Sequence, residues 1–176
     1  MIVNLVEMAP ERSPTFVNRK DNIMEDLKKT AEVLNDLIRI NNDRIAGYEK
    51  AIAELPVADV DLKALFNSLI EQSERLKTEL QQHISAWENK VEDETTTSGK
   101  VYRMWMDVKQ TFAMDDRKAV LESCEYGEDA AQKAYREAEK EEDITTPARA
   151  LIANQKTQLR ASHDHIKQLR DREKVG

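Results

Sequence analysis

With 176 residues and a formal net charge of −7, the chain has room for one domain and lacks the positive field that general nucleic-acid binding needs. Aromatics at 5%, four glycines and four prolines are too few for a turn-rich all-β protein, and the abundance of Ala, Leu, Glu, Lys, Gln and Arg points to helices. The single cysteine, Cys124, excludes an intrachain disulfide and a cysteine-based zinc framework and fits a reducing cytoplasm, and no apolar run approaches the roughly 20 residues that span a bilayer.

Residues 1–20 carry Pro10, Pro14 and mixed polarity and read as an N-terminal extension; a basic start followed by an apolar segment, the mark of a signal peptide, is missing. The first helix is expected from about Asp21 to Leu55. Its stripe of Leu27, Ala31, Leu34, Leu37, Asn41, Ile45, Tyr48, Ile52 and Leu55 steps by three and four, and Pro56 ends it. A second helix runs from about Asp61 to Val91 through Leu62, Phe66, Leu69, Ser73, Leu76, Leu80, Ile84 and Trp87, with Asp59 or Asp61 as N-cap. After a Thr/Ser/Gly-rich break, residues 101–112 form a short amphipathic helix bearing Met104, Trp105 and Phe112. Asp116 then caps a third long helix, about Asp116 to Glu142, through Leu121, Cys124, Glu128, Ala131, Tyr135 and Ala138. Thr146-Pro147 opens a fourth, about Pro147 to Arg172, through Ile152, Gln155, Leu159, His163, Ile166 and Leu169; residues 173–176 form a tail.

Short connections make helices one and two a hairpin, and likewise three and four. A 35-residue helix is about 50 Å long, and a 12-residue helix with ten extended residues covers about the same distance. The long middle connection can therefore run the length of the bundle, as in ferritin-like folds. The competing arrangement is up-down-up-down, with residues 101–112 capping one end. The crossover is the preferred expectation: an all-α bundle over residues 21–172, two antiparallel hairpins joined by a long crossover containing a short helix.

Each stripe turns polar near its middle. Counting back from the turns sets Ser73 opposite Asn41 and Asn42, and Glu128 opposite Ser162 and His163, each about 24 Å from its turn. The polar positions then form one mid-bundle layer. Glu128 matters most in it, because a carboxylate on a core stripe must be paired, protonated or bound to a metal.

The runs LNDLIRINNDRIAGYEKA, TSGKVYRMWMDVK, LESCEYGEDAAQKAYREA and ASHDHIKQLRD resemble uncharacterised bacterial four-helix-bundle proteins of the ferritin-like superfamily, catalogued as a domain of unknown function. The resemblance covers about residues 30–172 and is most specific at Trp105–Lys109 and Cys124–Asp129. It implies a ferritin-like bundle and assigns no activity. The polar positions it carries over are Asp43, Gln72, Glu79, Glu125, Glu128, Gln155 and His163, with Tyr48 and Tyr135 as packing positions.

A di-iron carboxylate centre takes a Glu from each of two helices and Glu-x-x-His from each of the other two. Here Glu79 and His83 are four apart, Arg160 stands three before His163, and Ser162 three before His165, so that signature is absent. Three readings remain. The preferred one is a non-enzymatic bundle without cofactor, stress-associated or an interaction module, self-associating as a dimer, whose polar layer fixes register. The alternative is a ferritin-like protein with a degenerate divalent-metal site (iron, manganese or zinc) drawn from Glu128, Glu125, His163, Asp43, Gln72 and Gln155. Lipid or peptide binding in a core gap is a third possibility. His83 and His165 read as surface or satisfied histidines, Cys124 as a small apolar filler, and Gly127 as a point of close helix approach.

Overall fold

The computed structural model describes residues 14–86 and 116–173, with side chains from Asn22 onward. Four helices account for nearly all of it: α1 (Pro14–Glu54), α2 (Val60–Ser85), α3 (Arg117–Lys140) and α4 (Thr146–Glu173). There is no strand among the described residues. The first helix begins at Pro14, ahead of the expected start. That suits a proline, whose missing N–H and fixed φ cost nothing at the first helical position. Pro56 stands two residues beyond the end of α1. The expected helix over residues 101–112, with Trp105, lies outside the described residues, as does the end of the second expected helix beyond Ala86.

Local chemistry sets the ends. Asp116 accepts a hydrogen bond from Ala119 N at 2.8 Å, the side-chain cap expected for α3. At the other end of α3, Arg149 reaches back to the carbonyls of Glu139, Glu141 and Glu142, satisfying groups the helix leaves open. Asp59 occupies the N-cap position of α2 but makes no side-chain cap bond. Its carboxylate is taken instead by Arg117 at 2.9 Å. Arg117 also bonds Asp61 and Glu173, so one guanidinium ties the starts of α2 and α3 to the end of α4.

That clamp defines one end of the bundle. At the other end, Thr145 N donates to Thr30 Oγ1 at 2.9 Å, joining the α3–α4 turn to α1. The helix directions follow from these contacts. α1 packs antiparallel to α2 and α3, and α4 antiparallel to α3 and α2, so α2 and α3 run parallel.

The apolar core comes in two pieces. One contains Leu34, Leu37, Leu76, Leu80, Ala134, Tyr135, Ile152 and Leu159. The other contains Leu55, Leu62, Phe66, Leu69, Val120, Leu121, Cys124 and Ile166. In between lie the buried polar side chains of Asn41, Arg44, Ser73 and Glu128. No described helix is long and apolar enough to cross a membrane.

Gly127 corrects one expectation. A Cβ added there meets no described residue within 4 Å, and the same holds at Gly47, so neither glycine marks a close approach between the described helices. Both sit inside helices, where Gly costs about 0.5–1 kcal/mol relative to Ala. Gly127→Ala and Gly47→Ala should each raise the urea unfolding free energy by about that amount; a loss of stability at position 127 would show that the glycine has a packing role.

Candidate functional site

The mid-bundle layer is built around Arg44, which sequence reasoning passed over. It lies on a strict three-four stripe with Leu34, Leu37, Asn41, Tyr48, Ala51 and Leu55, all buried. Arg44 and Glu128 are only 4% and 1% exposed. Glu128 Oε1 accepts from Arg44 Nη2 at 2.5 Å and Nε at 3.2 Å, and from the Tyr48 hydroxyl in a short bond. Arg44 Nη1 donates to Ser73 Oγ at 2.7 Å, and Ser73 Oγ donates on to Leu69 O. The guanidinium carbon lies 5.8 Å from the centre of the Tyr48 ring, within cation–π range, and Tyr48 leans on Phe66. The anticipated carboxylate on the core stripe is therefore paired, and its partner is an arginine of α1.

The donors converge on Oε1; the other carboxylate oxygen, Glu128 Oε2, and Asn41 Oδ1 accept no hydrogen bond from the described residues. A second chain of bonds flanks the ion pair. Asn41 Nδ2 donates to Tyr135 Oη at 2.8 Å, Tyr135 donates to Gln155 Oε1 at 3.0 Å, and Gln155 Nε2 donates to Glu79 and to Leu76 O. Glu79, Gln155 and Tyr135 thus belong to one network that ties all four helices together.

Register expectations hold to within a turn. On the second hairpin, His163 meets Asp129, the residue after Glu128. On the first, Ser73 meets Arg44 while Asn42 pairs with Lys77. The expected heights are thus close; the directions of the side chains differ, because Glu128 points at α1 and not at α4.

Of the expected metal candidates, the structure brings Glu125 and His163 together and adds Asp129. Their ligand atoms all lie within 4.8 Å of one another. Glu128 faces Arg44, Gln72 accepts from Ser162 Oγ at 2.9 Å, Gln155 serves Tyr135, and Asp43 is half-buried on α1; none of these joins that group. Asp129 sits one turn after Glu125 on α3, a spacing that aligns the two carboxylates on one face, and this was the signal available for it.

Burial governs the titrating groups. Loss of solvent pushes the Cys124 thiol up to about 12, with the Glu128 charge adding to the effect, so it behaves as the apolar filler expected. For Arg44, burial alone would lower the pKa, but the adjacent Glu128 carboxylate reverses this and raises it. Burial, then the Glu128 charge, raises the Tyr48 hydroxyl well above an ordinary phenol; burial takes Tyr135 up to about 12. Burial also lowers His83, while His165 is exposed.

A family model described as a domain of unknown function (DUF2383) matches residues 29–141, more than half of the chain, and the chain belongs to that family. This bears out the expected membership of an uncharacterised domain family. The matched stretch includes Arg44, Tyr48, Ser73, Glu125, Glu128 and Asp129 and ends before Gln155 and His163. No curated protein matches the sequence.

Two predictions follow from the layer's electrostatics. Arg44→Leu and Glu128→Leu should each destabilise by about 3–5 kcal/mol in urea unfolding, because each strands the other charge. The double variant should lie within about 2 kcal/mol of the parent, the residue being the orphaned Tyr48 hydroxyl; additive losses would mean that the two charges do not share one site. Tyr48 and Tyr135 are folded-state phenols with raised pKa values, so their contribution is full below about pH 10, the ordinary phenol value, and declines as pH climbs toward and through the folded values. With Tyr102 and Tyr126 changed to Phe, absorbance titration should show no phenolate near pH 10 and a late, cooperative rise that coincides with loss of helical circular dichroism.

Proposed function

We propose that this protein is a non-enzymatic, ferritin-like four-helix bundle that acts as a self-associating interaction module, in a reducing bacterial cytoplasm and without a resident cofactor in its core. The observation that carries this is Arg44. A permanently charged guanidinium, pinned by Glu128, Tyr48 and Ser73, occupies the mid-bundle position where a ferritin-like protein gathers carboxylates around metal. A cation that cannot leave and cannot change oxidation state holds the bundle together but offers no redox chemistry.

The ferritin-like arrangement draws support from the helix ends. α2 finishes at the end of the bundle opposite the one where Arg117 opens α3. That placement of the two helix ends is the one a single-crossover bundle needs. Self-association draws support from Ile23 and Met24, exposed at 52% and 37% on α1 ahead of the level where the α3–α4 turn meets it at Thr30. A second copy presenting the same pair would cover both.

A second reading, metal binding, rests on the separate group of Glu125, Asp129 and His163.

Turnover and association test the first reading. Tag-free protein should neither oxidise ferrous iron nor consume peroxide above buffer rates; reproducible turnover that disappears in Glu128→Ala would overturn the non-enzymatic assignment. Light scattering after gel filtration should give a dimer, and Ile23→Asp with Met24→Asp should give a monomer with unchanged helicity. A parent protein that stays monomeric at high concentration would end the self-association proposal.

A further inference from the structure

We propose that Glu125, Asp129 and His163 form a zinc-class divalent cation site on the flank where α3 meets α4, with Asp164 orienting the imidazole. The site gives the metal-binding reading a specific location, away from the interior ion pair.

The imidazole is the centre of the argument. His163 is 6% exposed, yet both of its ring nitrogens face carboxylates. Nδ1 lies 2.9 Å from Asp164 Oδ1, and Nε2 lies 2.9 Å from Asp129 Oδ1. A carboxylate accepting from one imidazole nitrogen fixes the tautomer and aims the other nitrogen's lone pair, the device by which metal-ligating histidines are held. Here Asp164 holds Nδ1 and Nε2 stands against Asp129, with ligand atoms of Glu125, Asp129 and His163 all within 4.8 Å of one another, so a cation entering there takes the place of the Nε2–Asp129 contact. In a tetrahedral zinc site, metal–ligand bonds near 2.0–2.2 Å place neighbouring N and O donors about 3.3–3.5 Å apart. The observed Nε2–Oδ1 separation is shorter than that by about 0.5 Å. Asp129, 65% exposed at its side chain and free to swing outward, can supply the difference with a small rotation.

The donor set selects the ion class. One imidazole and two carboxylates suit zinc and its first-row neighbours, and three protein ligands leave a fourth position open to water. Asp129 gives that position access to solvent, while Glu125 and His163 lie beneath the surface. Local charge agrees. Arg170 pairs with Glu125 and Asp171, and Arg160 pairs with Asp164. Two guanidiniums thus face the four carboxylates of Glu125, Asp129, Asp164 and Asp171, leaving a negative excess for a divalent cation. Arg170 competes for Glu125, but its existing bonds to Asp171 at 2.7 and 3.0 Å give it a second partner when a cation claims the carboxylate.

Calorimetric titration of chelator-treated, tag-free full-length chain with zinc chloride decides the matter, with cobalt(II) absorbance as a second readout. The expected result is one equivalent bound per chain. Affinity should fall at least about a hundredfold in His163→Ala, by tenfold or more in the exposed variant Asp129→Asn, and by about tenfold in Asp164→Asn. Arg170→Gln should bind more tightly, and His165→Ala should match the parent. The cobalt(II) visible band should vanish in His163→Ala. Absence of stoichiometric zinc binding by the parent, or undiminished affinity in Asp129→Asn together with His163→Ala, would overturn the site. Either outcome would leave the bundle assignment standing, since that one is judged by turnover and association.

Discussion

Burying Arg44 and Glu128 at a few per cent exposure removes two full charges from water, at several kcal/mol per ion before their attraction is counted. The return comes only if the geometry is right. Arg44 is a fork with donors in a fixed plane, so its Nε and Nη2 meet Glu128 while its Nη1 meets Ser73, and the Tyr48 hydroxyl donates to the same Glu128 oxygen. Those four side chains come from α1, α2 and α3. Through Asn41, Tyr135 and Gln155 the same layer reaches α4. The two apolar clusters on either side could pack in several sliding registers, as leucine-rich seams do. The ion layer is satisfied in one. Its gain is positional.

Burial divides the polar chemistry of the molecule into two kinds. In the interior, Arg44 is locked against Glu128 with its own pKa raised by that carboxylate, and burial raises the Tyr48 and Tyr135 hydroxyls above an ordinary phenol. On the flank of the α3–α4 pair, carboxylates and an imidazole are clustered and partly exposed, and Glu125 is held by Arg170, which has Asp171 as a second partner. Residues three apart on one helix, Glu125 and Glu128, thus have different roles: one faces the interior guanidinium, the other the flank.

Much of this was legible in the sequence. Helical periodicity and the breaks at Pro56 and around Thr145 fixed four long helices to within a few residues, apart from the early start at Pro14 and the second helix's end beyond the described residues. Counting from the turns also gave the height of the polar layer. Arg44 escapes such a reading because an arginine between Asp43 and Ile45 looks like a solvated charge, and Ile45 offers an apolar step in its place. The three-four spacing from Leu34 to Leu55 passes through Arg44 without a fault, so the pattern held the information and the residue type obscured it. Asp129 escaped because it reads as a flank residue, and which flank faces α4 depends on rotation about the helix axis, a quantity that apolar periodicity defines only to within a residue. Gly127 was misjudged because a helical glycine invites a packing explanation, whereas space around a missing Cβ is invisible in sequence.

The sequence distance between Arg44 and Glu128 bears on how the chain reaches this state. Each hairpin closes through a short turn and gathers contacts that are local in the chain, so each can form early. The ion pair joins positions 84 residues apart and can be completed only when the hairpins dock. Docking one turn out of register would bury a guanidinium against apolar side chains and leave the carboxylate stranded elsewhere. Such an encounter should come apart faster than it can settle. The interior arginine therefore sets an energetic penalty on misaligned docking, at the one step in which two apolar helical surfaces meet.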